Sequence, residues 1–252
     1  MIVVENLYKS FEKVSILKKI NAKFEKGKTN LIIGQSGSGK TVLLKCLLGL
    51  HQPDSGKIFF NDISITDLKS KERRLLRQEM GIVFQGSALF DSMNVEENII
   101  FPLKMFTSKT DEEMLDRANE VINRVNLVDS NKKMPSELSG GMQKRVAIAR
   151  AIVMNPKFLF CDEPNSGLDP KTAIIIDNLI QEITKEYGIT TVINTHDMNS
   201  VIEIGENIIF LKNGLKEWEG NNQNVYNSQN KNFDEFVYSS EILRKAKELM
   251  KK

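Results

Sequence analysis

Eight residues, Gly34, Gln35, Ser36, Gly37, Ser38, Gly39, Lys40 and Thr41, stand between an apolar run, TNLII, and an apolar stretch that opens on the same lysine, KTVLLKCLLGL. Such a pattern suits phosphate. Glycines let the backbone wrap closely around an anion, and the N-terminus of the following helix aims N–H groups and a positive dipole at it. In a loop of this kind Lys40 reaches the β- and γ-phosphates of a nucleoside triphosphate, and the Thr41 hydroxyl holds Mg²⁺. The plainer alternative is a Gly/Ser turn that happens to precede a lysine. The strand-loop-helix context argues against it.

A second apolar run, KFLFC, ends on two acids, Asp162 and Glu163, at the start of DEPNSGLDP. Alone, the pair would mark only a solvated turn. Beside a P-loop the two acids have separate jobs: Asp162 orders the Mg²⁺ shell, and Glu163 polarises the water that attacks the γ-phosphate. A third stretch, ELSGGMQKRVAIARAI, starts a helix on Ser139, Gly140 and Gly141, which is a second phosphate-binding turn. One triphosphate needs one P-loop. The second turn is therefore expected to serve a nucleotide held mainly by another subunit.

The elements that must position these residues follow from the hydrophobic pattern. Short apolar strands (TNLII, KFLFCD, TTVINT) alternate with helical stretches, which predicts an α/β protein with a largely parallel sheet. The first thirty residues and KIFFND read as antiparallel strands. Thr110 and Glu113 stand at capping-box spacing before a helix whose face carries Met114, Leu115, Ala118, Val121, Ile122 and Val125. Asn213-Gly214 between two strand-like runs predicts a tight hairpin. After Gly220 the chain is poor in apolar residues until DEFVYSSEILRKAKELMKK, read as a short amphipathic helix. There is no repeat and no long linker, so the expectation is one domain with lobes.

Composition limits the alternatives. The chain has 252 residues, 40% of them hydrophobic and 27% charged, as in an ordinary globular protein. A net charge of +2 with both signs interspersed gives no footprint for nucleic acid. Cys46 and Cys161 lie far apart in apolar stretches and read as buried free thiols of a reducing compartment. MIVVENLYKSF lacks the pattern of a signal peptide, and no apolar run is long enough to span a bilayer. The expectation is a cytoplasmic protein that reaches a membrane only through a partner.

The SGG turn, the P-loop and the Asp-Glu pair occur in the order and spacing of the ATP-binding cassette (ABC) ATPases, and over about residues 1–220 the chain resembles that family. The resemblance implies further roles. Gln85 in IVFQG matches the glutamine loop that senses Mg²⁺ and the attacking water and faces a membrane partner. Asp169 in SGLD matches the loop that crosses a dimer interface, and His196 in NTHD matches the switch histidine at the γ-phosphate. Phe11 in KSFEK matches the aromatic that stacks on adenine. The implied fold is α/β: a P-loop core sheet, an antiparallel β-lobe and a helical lobe over about 91–154, with 221–252 as a C-terminal extension. The implied activity is Mg²⁺-dependent ATP hydrolysis by a homodimer that drives a separate permease at the inner face of the cell membrane.

The signature reads LSGGM, with Met142 where most of the family carries Gln. With MPSELSGGMQKR and FQGSALFDSMNVEENIIFPL around it, the chain is similar to the ATPases of Mla-type transporters, which move phospholipid with an MCE-domain lipid-binding protein. Phospholipid is the expected cargo on that likeness. The alternatives are an amino acid or lipoprotein cargo, or a non-transport ABC protein acting on ribosomes or DNA. The last usually carries two cassettes or long coiled coils, and this chain shows neither.

Overall fold

The structure, a computed structural model, describes residues 1–238. Its contacts divide the chain into two compact units, one formed by residues 1–68 with the chain from 194 onward, the other by residues 69–193.

The first unit opens with β1 (Ile2–Phe11) and β2 (Val14–Phe24), then β3 (Thr29–Ile33), α1 (Lys40–Leu47), β4 (Ser55–Phe60) and β5 (Ile63–Ser64). The second unit holds α2 (Ser70–Gln78), β6 (Met80–Val83), α3 (Val95–Phe106), α4 (Asp111–Arg124), α5 (Gly140–Ile152), β7 (Phe158–Asp162) and α6 (Pro170–Tyr187). It closes on β8 (Thr190–Thr195), where the chain returns to the first unit through α7 (Met198–Ile204), β9 (Asn207–Lys212), β10 (Leu215–Gly220) and α8 (Lys231–Val237). This is the α/β fold expected, with a separate antiparallel sheet.

In the first unit the antiparallel sheet has the order β2-β1-β4-β5. Its registers Ile2↔Phe24, Ile2↔Phe60 and Val4↔Ile58 bring fully buried apolar side chains onto one face. A second set of strands runs β10-β9-β3, with β9 parallel to β3 through Leu31↔Ile208. All five residues of β3 are buried, as a strand covered on both faces requires. Asn213 and Gly214 turn β9 into β10 with φ of 53° and 80°, the double left-handed pair of a two-residue hairpin.

In the second unit β6 runs parallel to β7, with Ile82↔Phe160. Helix α5 lies close against β6: a Cβ on Gly81 would sit 2.3 Å from the Ala151 carbonyl oxygen. Helix α4 begins as its capping box predicts. The Thr110 hydroxyl accepts from the Glu113 N–H, and the Glu113 carboxylate accepts from the Thr110 N–H. Met114, Ala118, Val121 and Ile122 are buried, whereas Leu115 is 37% exposed at the edge of the apolar face.

The aromatic residues of α8 return to the first unit's core. Phe233 stacks on Trp218 with ring centroids 4.0 Å apart and meets Phe210 edge-on at 5.4 Å. The amphipathic helix expected over DEFVYSSEILRKAKELMKK overlaps α8 only at its start, and residues 239–252 lie outside those described. Among the described residues, no helix is long and apolar enough to cross a membrane.

Candidate nucleotide site

Three of the loop's glycines have positive φ: 150° at Gly34, 79° at Gly37 and 107° at Gly39. At Gly34 a Cβ would fall 2.3 Å from the Leu211 carbonyl oxygen and 2.7 Å from the Ser38 Oγ, so only glycine lets the loop leave β3 here. Gly39 is the N-cap of α1 and supplies no side-chain cap, and the helix has no acidic residue in its first turn. That end is thus left to an external anion. Lys40 is buried, and its ammonium donates to the Gly34 carbonyl at 2.8 Å and the Gln35 carbonyl at 3.2 Å, which holds it over the loop. The Ser38 Oγ is buried without a hydrogen-bond partner, a vacancy of the kind an incoming oxygen relieves. Gln35, Ser36 and Thr41 are exposed.

Two further expected residues lie in the same unit. Phe11 ends β1 and is 40% exposed, with the His51 ring edge-on at 5.1 Å and the Lys9 ammonium 5.1 Å from its centroid. His196 is exposed directly after β8. Lys9 also pairs with Asp54 at 2.8 Å, and that bond with the Ser10 N–H holds the Asp54 carboxyl below its usual range.

The second unit gathers the other half of the residues. Asp162 ends β7, and Glu163 follows in the left-handed region with φ of 46°. The Gln85 amide donates to the Glu163 carboxylate and to the Ser166 hydroxyl, both at 3.3 Å. Ser139 is the N-cap of α5, its hydroxyl accepting from the Met142 N–H at 3.3 Å. Asp169 caps α6 by accepting from the Thr172 N–H at 3.1 Å, and bonds from the Thr172 side chain and N–H hold its carboxyl below the usual range. The signature turn lies against the start of that helix: a Cβ on Gly141 would be 2.8 Å from Thr172 Cγ2, and one on Gly140 3.4 Å from Leu168 Cδ2. Gly141 thus has a packing reason of its own.

The ABC transporter family profile matches residues 17–166. The chain belongs to the ABC transporter family, as an ATPase cassette. It is 37% identical to the methionine import ATP-binding protein MetN of Campylobacter jejuni, over 96% of this chain and 77% of that one. It is 38% identical to the probable ribonucleotide transport ATP-binding protein mkl of Mycobacterium leprae, over 82% of this chain and 60% of that one. Part of each relative therefore lies outside the aligned region. Among solved structures it resembles cbiO1 of Clostridium perfringens, with a TM-score of 0.85 and 32% identity over 100% of this chain and 98% of that one. It also resembles the dimeric post-hydrolysis cassette MJ0796 bound to ADP and Pi, with a TM-score of 0.79 and 34% identity over 88% and 99% of the two chains. Neither relative is named for phospholipid or for an MCE-domain partner, so that expectation gains no support from them.

Three residues that hold the cassette's loops were not visible from their types. Asn98, fully buried in α3, accepts from the Phe90 N–H and donates to the carbonyls of Phe90, Met93 and Asn94, fixing the chain after the glutamine loop. Lys144 and Arg150, both on α5, donate to carbonyls of the glutamine loop itself. Burial pulls the Lys144 ammonium below its usual range, opposed by the neighbouring Cys161 and Glu163. Their partners are backbone atoms, which leave no mark in a sequence. Cys46 and Cys161 are buried and free, as expected.

Proposed function

We propose that this cassette hydrolyses ATP as a homodimer, with each site built from the P-loop of one copy and Ser139 to Gly141 of the other, and so drives a separate membrane permease. The observation that carries the reading is the Gln85 amide set on the Glu163 carboxylate at the end of a buried strand. A polar side chain placed on the expected base is what a loop reporting on the attacking water requires. In this reading Lys40 neutralises charge on the β- and γ-phosphates, Phe11 stacks on adenine, His196 contacts the γ-phosphate, and Asp169 meets the other copy. Most of the rate comes from such fixed charge and N–H groups around the phosphates.

Among the described residues no three His, Cys, Asp or Glu side chains cluster as a protein-only metal site. That fits Mg²⁺, which takes one or two carboxylates and completes its shell with substrate phosphates and water. Asp162, the Thr41 hydroxyl and the Gln85 amide oxygen are the hard oxygen donors this chain offers it. When bound, Mg²⁺ would neutralise charge that develops on the phosphate oxygens.

An amino acid is the cargo best supported, because the methionine import proteins are among the nearest relatives in identity and coverage. Residues 1–220 would be the nucleotide-binding domain, with its helical lobe at about 91–154, and 221–252 an extension. The assembly would sit at the inner face of the cell membrane. The test is Glu163→Gln, which is expected to bind ATP normally and to lose roughly 10²–10⁴-fold in turnover, the usual contribution of a positioned base. Lys40→Ala is expected to lose ATP binding itself. Hydrolysis by Glu163→Gln at a near wild-type rate would remove Glu163 from this role.

A further inference from the structure

Helix α5 sends two cations into the loop that starts at Gln85. Lys144 is only 5% exposed, and its ammonium donates to the Gln85 carbonyl. One helical stretch further along, the Arg150 guanidinium donates through Nη1 to the Ala88 carbonyl at 2.7 Å and through Nη2 to the Ser87 carbonyl at 2.8 Å. Those two loop residues are left-handed, with φ of 61° and 47°, a conformation that residues with a Cβ adopt at a cost. Within the loop backbone two tight turns form, the Ser87 N–H donating to the Phe84 carbonyl and the Ala88 N–H to the Gly86 carbonyl. A strained loop with so little internal bonding keeps its shape because something outside it does so. Here that is one helix, and the same helix begins at Ser139.

We propose that Lys144 and Arg150 are positioning residues that tie the Gln85–Ala88 loop to α5, so that the loop and the signature turn move as one body and the Gln85 amide is set on Glu163. The inference rests on the ATPase reading above. Chemistry supports the division of labour between the two cations. A planar guanidinium spans two neighbouring carbonyls as a fork, whereas an ammonium is a point donor suited to one. Because all three partners are main-chain oxygens, the loop's side chains can vary while the tie is kept.

The experiment is a double-mutant cycle on ATPase kinetics with Lys144→Met, Gln85→Ala and the two combined. Lys144→Met is expected to lower kcat about tenfold with the KM for ATP unchanged, the scale of one lost hydrogen bond to a charged group. In the Gln85→Ala background the same change is expected to cost less than about twofold, because the amide it positions is already gone. Lys144→Arg, which keeps a donor, is expected to recover most of the activity. If Lys144→Met does not fold, Arg150→Lys takes its place in the cycle with the same expectation. Equal losses in both backgrounds, or no loss of kcat, overturn the inference while the ATPase reading stands. A wild type that hydrolyses no ATP overturns both.

Discussion

Cys161 lies one residue before the acid pair and is nonetheless built to be inert. It is fully buried, and burial raises its thiol far above the usual range, with the charges of Asp177 and Asp162 adding and Lys144 opposing. Burial likewise pushes the Cys46 thiol up to about 11. Since the thiolate is the reactive form, about one Cys46 in a thousand is ionised at pH 8, and fewer at Cys161. Neither cysteine of the native protein is therefore expected to react with iodoacetamide at pH 8, and both are expected to react in denaturant. Intact mass measures this directly, and a fast native adduct would contradict the burial. At this scale, the sequence marks the residues whose own side chains would do the chemistry of the proposed reading: Lys40, the Asp162–Glu163 pair and Ser139. What was hidden acts on backbone atoms. Asn98, Lys144 and Arg150 look like ordinary helical polar residues until the carbonyls they hold are in place. Gln85 was reached by family resemblance alone, and its contact with Glu163 is a matter of folding that no spacing encodes.

Helices with side-chain caps were the most legible elements, because a cap is local chemistry written within four residues. Thr110 and Glu113 announced α4, and the same reciprocal pair, Asn94 with Glu97, caps α3. Pro102 sits inside α3, a residue type that ordinarily ends a helix. In β1 the register shifts along both of its edges, so strict alternation is lost and only a loose antiparallel reading was available. Thr110→Ala removes one cap acceptor and is expected to lower the unfolding free energy by about 1 kcal/mol, measured by urea denaturation. The other half of the box, which the variant keeps, has a pH signature. The Thr110 N–H holds the Glu113 carboxyl below its usual range, so the reciprocal bond is present above the unfolded carboxyl's range. It is lost as pH falls through the lowered folded value. No difference between variant and wild type at neutral pH would mean that the cap is made by water instead.

On the reading proposed above the cassette needs a surface for its permease, and the unit formed by residues 69–193 holds a candidate groove. A groove of about 500 Å³ is lined by Met80, Phe84, Phe90, Phe101, Phe106 and Met154, with Arg77 and Arg150 among its walls. Ile99 and Ile100 are buried within α3, whereas Phe90 is 40% exposed and Phe84 and Phe106 are also exposed. Met93 is half-buried and lies outside the groove lining. An apolar floor with guanidinium groups in its walls suits an amphipathic helix that carries an acid beside its apolar stripe. Arg150 belongs to the groove and to the glutamine loop at once, so an occupant would touch the residue that holds Ser87 and Ala88. Phe90 is the side chain to change. Its ring meets Phe101 at 4.7 Å and the Arg150 guanidinium at 5.9 Å, while its backbone is held independently by Asn98. Phe90→Asp should therefore leave the loop in place and put an acid beside Arg150, where the incoming helix carries its own. We expect the variant to melt within about 4 °C of wild type, a change of order 1 kcal/mol. Binding of the membrane subunit should weaken by at least about 30-fold, the loss of one interface hot spot. Co-purification from detergent measures the second quantity. A permease retained at full yield by Phe90→Asp would place the docking surface elsewhere on the cassette.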